Sequence, residues 1–212
     1  MRLLWCVVLV LAGLPSAFAE TVSVKDGNIF VDSRQITGGG RDSDPLLAPD
    51  GRHVVFTRSG PPSSAMDNCS PDSKKPANAI SLWIADDSGA HAAMLAVGHA
   101  ADKPEDAICA FNNKAFDSSG RRLYFSTPAW ATSGATHVID LGTGQQQFFV
   151  AGDLAKVLAS CSDDQHVDDV IVSQHRYFVF GGSYDWYWLF GPDGKEIGPV
   201  GESTAMADDQ CK

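Results

Sequence analysis

The stretch Asp42 to Arg58, DSDPLLAPDGRHVVFTR, decides the fold because it recurs. It superposes without gaps on Phe111 to Thr127 (FNNKAFDSSGRRLYFST) and on His166 to Gly182 (HVDDVIVSQHRYFVFGG), at offsets of 69 and 55 residues. In each copy a strand-like stretch runs into a turn. An arginine follows (Arg52, Arg121, Arg176), then a β-branched or aromatic run ending at Phe56, Phe125 or Phe180. Asp50-Gly51 and Ser119-Gly120 are tight-turn dipeptides between such runs, a strong hairpin signal. The third copy has Gln174-His175 at that point, so its turn must differ.

Downstream of each copy lies a second hairpin pattern. Ser81 to Ile84 turns at Ser88-Gly89, Thr136 to Ile139 at Thr143-Gly144, and Trp186 to Leu189 at Asp193-Gly194. Each unit is therefore two hairpins, four short antiparallel strands, at 42–97, 111–152 and 166–201. A Pro/Ser-rich insertion, 59–78, stretches the first unit, and residues 21–38 supply an incomplete unit before it. The best helix candidate, Asp153 to Ala159, is two turns at most. Four-stranded sheets repeated without helices mean blades, because one such sheet has two apolar faces and must stack on neighbours. The expected fold is an all-β propeller-like array in a single domain, 20–212. A β-sandwich with accidental self-similarity is the alternative.

Ahead of the repeats, Arg2 precedes an apolar run from Leu3 to Leu14, then Pro15 and the small-residue triplet Ala17-Phe18-Ala19. This reads as a secretory signal, 1–19, cleaved after Ala19. As a helix the run would rise ~18 Å, short of the ~30 Å hydrocarbon core. A lipid-anchored product would need a cysteine where Leu14 stands, so the expectation is a soluble secreted or periplasmic protein with no membrane anchor. Of the 212 residues 16 are Lys or Arg and 26 Asp or Glu, a net charge of -10. Such a surface repels phosphate backbones and anionic lipid, which argues against nucleic-acid partners.

The string Ile36-Thr37, Asp44-Pro45, Ala48-Pro49-Asp50-Gly51-Arg52 and Val54-Val55-Phe56-Thr57 resembles the repeat of TolB-type periplasmic β-propellers. That WD40-like repeat has an I-T, a D-x-x-P, then S-P-D-G with R or K, and an apolar strand ending in F-T or F-S. Ala48 departs from the usual serine. The second copy keeps Asp117, Gly120, Arg121 and Phe125, and the third little beyond Arg176 and Phe180. The resemblance implies a propeller whose loops bind proteins or other ligands, and no reaction. Propellers of that family close a ring of about six blades, whereas three complete units and a partial one occur here. The array is then either a ring of four or open, and an open one would cover its strand edges by forming a homodimer.

Cys69, Cys109, Cys161 and Cys211 form an even set in an exported chain, which favours disulfides. On a propeller, loops between the second and third strands and between successive blades open on one face. That placement pairs Cys69 with Cys109 and Cys161 with Cys211; Cys109 with Cys161 is the rival. Each bridge would contribute roughly 4 kcal/mol by constraining the unfolded chain.

Motifs of nucleophile elbows, zinc helices, phosphate loops and dinucleotide folds are missing from the sequence, so no catalytic residue is assigned. Oxygen ligands concentrate at Asp163, Asp164, His166, Asp168 and Asp169, a set that suits a calcium ion or serves as a solvated acidic tether. Asp208 and Asp209 would lie near it if Cys161 pairs with Cys211. A second concentration is aromatic. Tyr184, Trp186 and Trp188, with Trp130 as companion, are candidates for a ligand platform, and packing between blades is the plainer reading. The functional expectation is an exported, non-catalytic module that binds a protein or cell-envelope component through the face carrying Cys69, Cys109 and Cys161. The alternative is a metal-assisted hydrolase or lyase using Asp163 to Asp169 with His166 as base.

Overall fold

In the computed structural model the described residues are 21–69, 77–161 and 166–205. The signal segment, Asp163, Asp164 and Cys211 lie outside them. The chain forms four antiparallel meanders. The first has three strands, β1 (Val22–Lys25), β2 (Asn28–Val31) and β3 (Arg34–Gln35). The second holds β4 (Asp42–Leu47), β5 (His53–Pro62), β6 (Asn78–Asp86) and β7 (Ala92–Val97). The third holds β8 (Asn112–Phe116), β9 (Arg122–Trp130), β10 (Ser133–Asp140) and β11 (Gln145–Ala151). The fourth holds β12 (Asp153–Val157), β13 (Val170–Tyr177), β14 (Ser183–Phe190) and β15 (Glu196–Gly201). This is a propeller-like array of three complete blades and a partial one, not a two-sheet sandwich.

Strand alternation explains the stacking, since successive side chains point to opposite faces. In β5, Val54 and Phe56 pack with Ile29, Val31 and Ile36 of the first sheet, while Val55 between them packs toward the third. In β9, Leu123 and Phe125 join that second core, and Tyr124 faces the fourth sheet. In β13, Val170 and Val172 complete the third core. Among the described residues each core joins adjacent sheets, and no core joins the first sheet to the fourth.

The two ends of the array are finished differently. On the outer face of the first sheet, alternation sets Ser23, Lys25, Asn28, Phe30 and Gln35. The outer face of the fourth buries Ile171, Leu189 and Val200 with Leu158, and Cys161 and Tyr187 pack against them.

The turns at Gly51, Gly89, Gly120, Gly144 and Gly194 all have positive φ, as their dipeptides predict. Gly89 must also be small, because a Cβ there would sit 2.3 Å from the Ile36 carbonyl oxygen of the neighbouring sheet. The repeat persists in the backbone: Asp44 (φ 51°) and Asn113 (φ 50°) occupy the same position of the motif, each at a bulge of an innermost strand.

The fourth sheet departs from the sequence reading. Asp153 to Ala159 does not form a helix; Asp153–Val157 is the first strand of this sheet, so the sheet begins well before residue 166. Gln174 and His175 lie within β13, opposite Trp186 and Asp185, rather than in a turn. Phe180 lies in the loop between β13 and β14, fully exposed. A gapless superposition could not accommodate the long connection between β12 and β13, and so it aligned the third copy out of register. The true counterparts of Val54-Val55-Phe56 and Leu123-Tyr124-Phe125 are Val170-Ile171-Val172, as their shared cores show.

Two polar groups inside the stack have opposite fates. The carboxylate of Asp42, buried at 2% exposure, accepts two hydrogen bonds from Arg58, at 2.6 and 2.9 Å. The guanidinium in turn lies 4.6 Å from the centre of the Trp83 ring. In the third blade the same two positions hold Phe111 and Thr127, whose ion-pair role is gone. His137, 1% exposed, stacks on Phe125 and has no hydrogen-bond partner for either ring nitrogen. Burial pushes its pKa down to about 4, against the opposing pull of the Asp106 carboxylate.

Asp42→Asn is expected to lower the free energy of unfolding by about 3 kcal/mol in urea melts, because it leaves a half-buried guanidinium without its counter-charge. His137→Leu should raise stability at neutral pH by about 1 kcal/mol, since it removes two unpaired buried nitrogens. The folded pKa of His137 is depressed, so the unfolded chain binds the extra proton first. The stability contributed by neutral His137 is complete above about pH 6.5 and falls by about 1.4 kcal/mol per pH unit down to about pH 4. The advantage of the Leu variant should therefore widen across that window in parallel melts.

Candidate functional site

The meanders reverse direction at every strand, so their connections open alternately on two faces of the array. One face collects the links from second to third strand and the links between sheets. It carries the Cys69–Cys109 disulfide, whose Cα atoms are 5.1 Å apart. The insertion after β5 forms a short 3-10 helix, Ser64–Cys69, and is held down by buried Met66 and by the Ala100 amide, which donates to the Ala65 carbonyl at 2.7 Å. Cys109 is positioned from the other side. The hydroxyl of buried Thr127 accepts the backbone N–H groups of Cys109 (2.8 Å) and Ala110 (3.2 Å). The expected Cys69–Cys109 pairing is thus present, and it ties the second sheet to the third.

Beside the disulfide is a cavity of about 230 Å³, lined by Asp102, Pro104, Pro128 and Trp130 as well as both cysteines. On the same face, the loop between β13 and β14 exposes Tyr177, Phe178, Val179 and Phe180. Trp130 ends β9 and Tyr177 ends β13, so each closes the second strand of its blade. The sequence reading missed this apolar tip. Gly181-Gly182, both at positive φ, was the available hairpin signal, obscured by the assumption that the repeat ran on to Phe180.

The aromatic candidates separate. Trp188 is buried in the core between the third and fourth sheets, with the Arg176 guanidinium 3.3 Å from its ring centre. Trp186 is 36% exposed, and its ring centre lies 5.3 Å from that of Tyr184, which packs on Phe178 at 4.6 Å. Trp130 sits apart from these three, in the third blade.

Cys161, His166, Asp168 and Asp169 lie on the opposite face, because they follow β12 in the connection between the first two strands of the last sheet. Cys161 therefore does not share a face with Cys69 and Cys109. It is itself disulfide-bonded, and the other end of that bond falls outside the described residues. Asp168, at φ 67°, accepts hydrogen bonds from the Ser118 amide (2.6 Å) and hydroxyl (2.8 Å), fastening the third sheet to the fourth. Buried Asp169 holds the Nδ1 of His166 at 2.8 Å. Three of the five candidate ligands, His166, Asp168 and Asp169, are thus engaged within the protein, and the other two, Asp163 and Asp164, lie outside the described residues. No group of three or more histidine, cysteine or carboxylate side chains suited to a metal occurs among the described residues. Nor is any described helix long and apolar enough to cross a membrane.

No protein-family model and no curated protein sequence matches the chain. Solved structures do. The chain is similar to TolB from Acinetobacter baumannii, with 11% identity over 82% of this chain and 36% of that one, at a TM-score of 0.48. It is similar to the β-propeller domain of the trilobed protease from Pyrococcus furiosus, with 13% identity over 81% and 47%, at 0.47. It is also similar to a puromycin hydrolase, with 16% identity over 85% and 28%, at 0.50. This chain thus spans less than half of each.

Replacing Cys69 and Cys109 together by serine should cost about 4 kcal/mol in the chain-entropy account, for a bridge across 40 residues. Urea melts of oxidised wild type and the double variant would measure it. The three complete four-stranded blades and the partial one show a β-propeller-like fold, and likenesses at such identities bear on the fold alone.

Proposed function

We propose that this protein is an exported, soluble, non-catalytic binding module that docks a protein or cell-envelope component on its disulfide face. The observation that carries the reading is the run of exposed apolar side chains there, Tyr177 to Phe180, with Trp130 also exposed on that face, in a chain of net charge -10. Contiguous apolar groups left in water mark interaction sites, and aromatic side chains anchor such interfaces. The rigid sheets behind them hold the loops in fixed relation. The disulfide fastens one loop to the next sheet, so less ordering remains to be done on binding.

A second reading has one observation in its favour. His166, oriented by buried Asp169, has the arrangement of a general base held by a carboxylate. It would make the opposite face the working one, with a calcium ion among the acidic residues.

Capture from an envelope extract by the immobilised protein separates the two. Val179→Ser with Phe180→Ser should abolish capture of whatever wild type retains, while shifting stability by no more than about 0.5 kcal/mol, as surface substitutions do. His166→Ala with Asp169→Asn should leave capture unchanged. Undiminished capture by the tip variant would overturn the proposal. A stoichiometric calcium adduct in native mass spectrometry, lost with chelator, would favour the second reading.

A further inference from the structure

We propose that the cavity beside the Cys69–Cys109 disulfide receives an arginine side chain of a protein partner, its guanidinium lying on the Trp130 indole with Asp102 as counter-charge. This deepens the binding-module reading and rests on it, naming the chemistry of the partner.

The argument starts from the walls. Pro104, Pro128 and Ala107 give the cavity apolar sides, suited to an aliphatic stem. Among the described residues Trp130 is the one aromatic lining it, and it is 38% exposed, so part of its side chain remains open to solvent. Indole is the best of the side-chain rings for holding a cation. The cavity measures about 230 Å³. A space of about 150 Å³ holds benzene, so a planar guanidinium and its stem fit.

Charge then selects among occupants. Asp102 lines the cavity, and neither it nor Glu105 nor Asp106, which follow in the same segment, forms an ion pair among the described residues. Lys103 is the one lysine or arginine between Gly98 and Phe111. An anion would be repelled there, and a wholly apolar group would strip water from Asp102 without replacing its partner. Arginine is weakly hydrated, planar and permanently charged, and it satisfies both wall and rim. The acidity of the whole chain draws a basic segment toward the same face.

The test uses the oxidised protein and two small probes, N-acetyl-arginine amide and its uncharged citrulline counterpart, followed by the indole N–H signals in 15N-labelled protein. Trp130→Phe identifies the Trp130 signal. The arginine probe should shift it saturably, with a dissociation constant on the order of millimolar and about tenfold tighter than citrulline. Asp102→Asn should weaken the arginine probe about threefold. Equal shifts from both probes, no saturation, or unaltered affinity in Asp102→Asn would overturn the proposal. A saturable response at Trp186 alone would overturn it too, while leaving the module reading standing, since capture tests that reading separately.

Discussion

A four-stranded sheet with apolar side chains on both faces cannot stand in water, and everything else in this protein follows from that constraint. The middle strands β5, β9 and β13 each place consecutive apolar residues on opposite sides, so each sheet needs a neighbour on either side. Three shared cores result, formed from local meanders that need no long-range threading. Burial of these side chains is the main favourable term, at about 25 cal/mol per Å² of apolar surface removed from water. Hydrogen bonds between sheets then set their angular relation. Leu154 donates its amide to the Ser126 hydroxyl at 2.6 Å, and Ser118 binds Asp168, both between the third and fourth sheets.

Because no core among the described residues joins the first sheet to the fourth, each of these two sheets presents an end face. The first sheet finishes its face through composition, with polar residues outward. The last sheet instead remains apolar on its outer face and covers it with the segment around Leu158 and Cys161. A lateral tie at the disulfide holds the second sheet against the third.

Repeats also diverge where it matters for function. Asp42 and Arg58 in the second blade become Phe111 and Thr127 in the third, and the freed hydroxyl of Thr127 now receives the backbone at Cys109. A position that held an ion pair thus becomes a device that aims a cysteine. His137 shows the opposite case, a polar ring kept in an apolar core without partners, where burial suppresses its charge.

The motif around Asp50-Gly51, the paired hairpin spacing and the alternation of apolar residues already carry the blade architecture, because turn chemistry and period-two patterning are local properties. They also carry the Cys69–Cys109 pairing, which follows once the loops are assigned to a face. The fourth blade was misread at Asp153 and at Phe180, since a gapless comparison cannot see that one turn has grown. That single shift places Cys161, His166, Asp168 and Asp169 on the far face and exposes the apolar tip at Val179. Which side chains gather at one surface depends on strand order and loop direction. The amino-acid sequence alone therefore determined the repeating unit, whereas only tertiary packing decided which face collects Trp130, the disulfide and the hairpin tip, because proximity across blades is a property of the stack and not of the chain.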